Sequence, residues 1–121
     1  MVGEPYQMGG LWSYPREEFA LVETGIASVL PARRGGLTAN GEARDDGALT
    51  AAHRTLQLPA IVAVTNLETG ATLRVRVNDR GPERPGRVIG LSPRAATLLG
   101  IPAGGAAQVR VAVDGEASRA L

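Results

Sequence analysis

At 121 residues with 44% hydrophobic content, the chain suffices for one compact domain and leaves little for a second. Its 13 basic residues, all arginine, against 12 acidic ones give a net charge of +1, so no strong field points to nucleic acid or a membrane surface as the main partner, and electrostatics leaves the partner open. The lack of cysteine excludes disulfides, thiolate nucleophiles and cysteine metal sites, and no apolar run approaches the ~18 residues needed to cross a bilayer.

The N-terminus, MVGEPYQMGG, has no basic segment followed by an apolar one, so the sequence reads as cytosolic, or as exported with its leader already trimmed. The four aromatics Tyr6, Trp12, Tyr14 and Phe19 all precede residue 24, where the composition changes. This predicts an N-terminal arm, residues 1–24, that packs large side chains onto a small-residue body. Pro5 and Pro15 oppose a long helix there. Beyond it come short strands separated by turn signals, the pattern of an all-β barrel or sandwich. Ile61 to Leu67 and Thr72 to Val77 are rich in β-branched residues and joined by a loop over Glu68 to Ala71. In the second of these, Arg74 and Arg76 face one side and Leu73, Val75 and Val77 the other. Arg87 to Leu91 is a further strand, weakened at Gly90. A helix follows, with Ser92 as N-cap, Pro93 in its first position and Gly100 as its stop. Gln108 to Val113 alternates as a last strand, which leaves residues 25–114 as the barrel and 115–121 as a tail.

Three ionisable residues stand at loop or strand-edge signals. Glu42 follows the turn-forming pair Asn40-Gly41; His53 is the only histidine; Asp79 ends the strand that starts at Thr72. Each has an ordinary alternative: a solvated Glu42, a hydrogen-bonded core His53, an Asp79 that caps the DRGP turn. Arg74 and Arg76, with Arg80, Arg84 and Arg87, either line a groove for an anionic polymer or form a solvated face. A Ser28, His53, Asp79 triad lacks the strained elbow that exposes a nucleophile. One histidine without cysteine makes a poor metal site, and no glycine-rich phosphate loop is present.

GIAS (25–28), LTANGE (37–42), LTAAHRTL (49–56), VTNLETG (64–70), VRVNDRGP (75–82), GRVIGLS (86–92), RAATLLG (94–100) and the final VRVAV, in that order, resemble the rare lipoprotein A family of bacterial double-psi β-barrels. The arm PYQMGGLWSYPREEF also resembles the segment that precedes the barrel in alphaproteobacterial members. The resemblance implies an all-β, six-stranded barrel with one or two short helices, located in the periplasm or outer membrane. It also implies a lytic transglycosylase that cleaves β-1,4 bonds of peptide-free peptidoglycan strands to 1,6-anhydro-muramyl ends. Asp79 would be the general acid/base, helped by His53 and Glu42. Substrate contacts would fall to Arg80, Asn78, Asn40, Thr38 and Arg87. The expected partners are glycan strands and cell-envelope or division proteins, with no nucleic acid, no metal and no organic cofactor, and the chain acting as a monomer.

The sequence departs from the family pattern at three points. Val29-Leu30-Pro31 follows Ser28 where members usually read W-Y-G, Gly90 replaces an aspartate, and Glu83 replaces an aromatic after DRGP. The barrel then has no aromatic to stack on a sugar ring, each stack being worth about 1 kcal/mol. Two alternatives to the enzyme follow: a non-catalytic barrel that binds peptidoglycan or an envelope protein, and a non-lytic wall-loosening module resembling expansins. The enzyme reading expects Asp79, Glu42 and His53 to face one open groove, with Glu42 as a nearby carboxylate able to raise the Asp79 pKa.

Overall fold

Residues 1–121 are described by a computed structural model in which six of eight strands close on themselves. An N-terminal hairpin of β1 (Tyr6–Met8) and β2 (Leu11–Ser13) precedes them. The barrel strands are β3 (Val22–Val29), β4 (Thr50–Ala52), β5 (Ala60–Asn66), β6 (Thr72–Asp79), β7 (Arg87–Leu91) and β8 (Ala106–Val113). Helix α1 (Pro93–Leu98) lies between β7 and β8, and α2 (Gly115–Arg119) follows β8. Around the barrel the order is β3-β7-β4-β6-β5-β8, with β8 returning to β3. The pairs β3–β7 and β4–β6 are parallel and the others antiparallel. No helix is long and apolar enough to cross a membrane.

Period-two alternation decides what lies inside. In β5, Ala60, Val62 and Val64 point inward and are buried while Ile61, Ala63 and Thr65 are half-buried. In β6, Val75 and Val77 meet the same core and Arg74 and Arg76 turn outward, as the sequence predicts. Val109 and Val111 of β8, and Ile89 and Leu91 of β7, complete the interior. Each such side chain stabilises the barrel by about 1.5–3 kcal/mol through burial. The Ser92 hydroxyl accepts the Ala95 N–H at 3.2 Å and caps α1, which seats Ala95, Ala96 and Leu99 on the core.

The arm departs from its expected packing. Gly9 and Gly10, at φ +59° and +79°, form the tight turn of the β1–β2 hairpin. One face of that hairpin turns inward: Ser13 is buried, Tyr6 is half-buried and its hydroxyl donates to the Arg54 carbonyl. Trp12 and its cross-strand partner Gln7 occupy the opposite face, so Trp12 is 60% exposed, and Tyr14 is 64% exposed. Two of the four aromatics therefore stand in solvent, because alternation sends them outward. Residues 115–119, read as part of a tail, form α2. Asp114 caps it by accepting the Ala117 N–H at 2.9 Å, and the Ser118 hydroxyl exchanges hydrogen bonds with the N–H and carbonyl of Ile61.

Candidate active site

Strand β6 delivers Asp79 to the rim of the barrel, and Gly81 turns the chain away with a φ of +143° that favours glycine. The Asp79 side chain enters a groove of about 690 Å³ whose walls include Thr38, Ala39, Arg80 and Arg87. No aromatic residue lines it. Every neighbour of the Asp79 carboxyl is a donor: the Ala39 N–H at 3.0 Å and the Arg80 N–H at 2.9 Å meet Oδ1, and Arg44 Nη1 lies 3.1 Å from Oδ2. Two backbone groups and a guanidinium thus fix the orientation of this carboxyl.

The loop that supplies Ala39 is itself anchored. Leu37 bridges to Ala43, Thr38 N–H donates to the Glu42 carbonyl, and Gly41, at φ +84°, donates to the Thr38 carbonyl. The Thr38 hydroxyl donates to Asn40 Oδ1 at 2.7 Å. Glu42 then docks the loop on β6: Arg76 Nε and Nη2 reach its two carboxylate oxygens at 3.1 and 2.5 Å. That forked hydrogen bond pulls the Glu42 pKa from 4.5 to about 2, with Asn78 and Asn40 adding to it against the opposing effect of desolvation. The same contact raises the Arg76 guanidinium above its ordinary value.

His53 is buried, and its ring is fully engaged. Nδ1 accepts the Thr55 and Leu56 N–H groups at 3.1 and 3.2 Å, which leaves the proton on Nε2 to be donated to Glu23 Oε1 at 2.6 Å. Its link to Asp79 runs through the main chain, His53 N–H donating to the Asp79 carbonyl at 3.0 Å. Arg80 lies between the two: its guanidinium donates to the carbonyls of His53, Leu56 and Val2, and burial pulls its pKa below the ordinary arginine value.

Of the residues expected at the site, Asp79, Thr38, Arg80 and Arg87 line the groove. Glu42, Asn40, Asn78 and His53 do not; they stand behind it, where Glu42 holds the loop and His53 holds the turn after β4. The three proposed catalytic side chains therefore do not converge, because Arg76 draws Glu42 to the outer face of β6 and Glu23 draws the histidine ring to β3. Ser28 shares the groove with Asp79, and the ring that would complete a triad is absent from its walls. Of the arginines, Arg80, Arg84 and Arg87 line the groove, whereas Arg74 pairs with Asp114 and Arg76 with Glu42. Arg44 and Glu23 are the partners that sequence reasoning missed. Alternation along β3 gives Glu23 a face but no partner, and Arg44 lies in an irregular segment with no pattern to read.

The family model described as lytic transglycolase matches residues 22–111. An endolytic peptidoglycan transglycosylase RlpA from Vibrio cholerae is 42% identical over 120 residues, covering 91% of this chain and 46% of that protein. Proteins of the same description from Campylobacter jejuni and Pseudomonas aeruginosa are 45% and 47% identical, covering 93% and 88% of this chain and 42% and 32% of their own lengths. The chain thus spans less than half the length of the curated relatives it matches here. Among solved structures, the Streptomyces papain inhibitor is similar in fold, with a TM-score of 0.58 at 21% identity, covering 77% of this chain and 94% of that one.

Proposed function

The chain belongs to the lytic transglycolase family of double-psi β-barrels, and we propose that it is a peptidoglycan lytic transglycosylase of the bacterial cell envelope with Asp79 as its acid/base. The observation that carries this reading is the Asp79 carboxyl, set at the wall of an open groove and oriented there by the Ala39 and Arg80 N–H groups. In the reaction, the protonated Asp79 gives its proton to the oxygen linking muramic acid C1 to the next sugar, and the C1–O bond breaks. The muramic acid C6 hydroxyl oxygen bonds to C1 and returns its proton to Asp79, which regenerates the acid without consuming water. Glu42 and His53 serve as positioning residues: Glu42 fixes the loop that presents the Ala39 N–H, and His53 fixes the backbone partner of Asp79.

A second reading, a barrel that binds glycan without cleaving it, is favoured by the Asp79–Arg44 ion pair and by the absence of a stacking platform in the groove. Incubation with peptide-free glycan strands, with mass spectrometry of the products, separates the two. Anhydro-muramyl ends that vanish in Asp79→Asn support the enzyme. Co-sedimentation with insoluble peptidoglycan and no such ends supports the binder.

A further inference from the structure

The groove beside Asp79 is far more basic than the chain around it. Five arginines and two carboxylates, Asp79 and Glu83, are among its lining residues, whereas the whole chain carries +1. Two of the arginines are already engaged. Arg44 meets Asp79 and the Leu37 carbonyl, and Arg80 meets three carbonyls. The guanidinium groups of Arg33, Arg84 and Arg87 meet no acceptor, and Arg87 Nε is buried in that state. Neutral sugar hydroxyls do not call for three unpaired cations, and no aromatic in the lining offers a ring to stack on. What these walls present is a set of forked donors for a planar anion.

We propose that Arg33, Arg84 and Arg87 form a carboxylate subsite that holds the lactyl carboxylate of a muramic acid residue beside the bond to be cleaved. The assignment rests on reading the groove as a glycan site. A muramic acid without its stem peptide ends its lactyl group in a carboxylate, charged at neutral pH. Attachment of a peptide converts that carboxyl to an amide, which has no charge and offers one acceptor oxygen in place of two. The subsite therefore selects strands by the chemical state of the lactyl group.

The test uses peptide-free glycan oligosaccharides, half of them coupled to methylamine so that each lactyl carboxylate becomes a neutral amide of similar size, with peptide-bearing strands as a third ligand. Calorimetry reads binding and mass spectrometry reads anhydro ends. Amidation is expected to weaken binding about tenfold or more. Arg84→Gln with Arg87→Gln is expected to weaken binding of the unmodified strands to the same level, with little further loss on the amidated ones. Arg33→Gln with Arg84→Gln, both at exposed positions, repeats the comparison if replacing Arg87 prevents folding. Equal affinity for the two strands overturns the subsite, and cleavage of both at one rate would then leave the enzyme reading intact. Carboxylate-dependent binding without anhydro ends keeps the subsite and removes the enzyme. Binding of peptide-bearing strands as tight as that of peptide-free ones overturns the lactyl assignment, and binding of neither strand overturns both readings.

Discussion

Leu30 fills the space that a side chain at Gly90 would need: a Cβ built on Gly90 would lie 2.5 Å from Leu30 Cδ2 and 3.4 Å from Pro82 Cβ. Leu30 is held there by its N–H, which donates to the Leu91 carbonyl at 2.8 Å. Two departures from the family pattern, the leucine and the missing aspartate, are thus one packing solution. Gly90→Asp alone should cost about 1–3 kcal/mol, as overpacking does. Adding Leu30→Ala should recover part of that cost, with a coupling of about 1 kcal/mol or more in chemical denaturation. Strictly additive losses would show that the two positions do not share this space.

Glu42 sets a stability window at acid pH. Its folded pKa, about 2, lies below the 4.5 of an unperturbed glutamate, so its contribution is complete above 4.5 and is lost as pH falls toward 2. Glu42→Gln should flatten the stability profile between those values. Because both side chains of the pair are about one-third exposed, the variant should lose only about 0.5–1 kcal/mol at pH 7. An unchanged slope across that window would mean that the Arg76 contact does not persist in solution.

Asp79→Asn keeps an oxygen to accept the Ala39 and Arg80 N–H groups but cannot donate or take up a carboxyl proton. Release of anhydro-muramyl ends should drop about 100-fold or more. Far-UV circular dichroism should stay as in the parent, and the stability change should be under about 1 kcal/mol. Undiminished release would assign the chemistry to another group.

His53→Ala strips the Thr55 and Leu56 N–H groups of their acceptor. Denaturation should register a loss of about 1–3 kcal/mol. Glu23→Gln, whose amide oxygen accepts the same Nε2–H, should cost less than about 1 kcal/mol. The reverse order would place the importance of the histidine in its charge pairing and not in the turn.

The barrel was legible wherever side chains alternate. The β-branched runs at 61–67, 72–77 and 108–113 mark strands within two residues of their observed ends, and Ser92-Pro93 marks the start of α1. The N-terminal hairpin was less so: Gly9-Gly10 is a turn signal, but its strands are three residues each, too short for a period to register. The site was legible in its residues and not in its contacts. Glu42 and Arg76 are 34 positions apart, as are none of the motif spacings, and Arg44 reaches Asp79 only because the loop folds back over β6. Long-range pairing of charges leaves no local trace, so composition could show that arginines abound without showing which of them remain unpaired.

Closure of the six barrel strands has a bearing on what can dock. A sheet with two free margins offers rows of unpaired amides to which another chain can add a strand; here β8 returns to β3 and those margins vanish. Only the three-residue strands of the hairpin retain an open side. A partner must therefore recognise side chains and loops and not a free strand edge of the barrel, and self-association through strand addition has almost nowhere to begin.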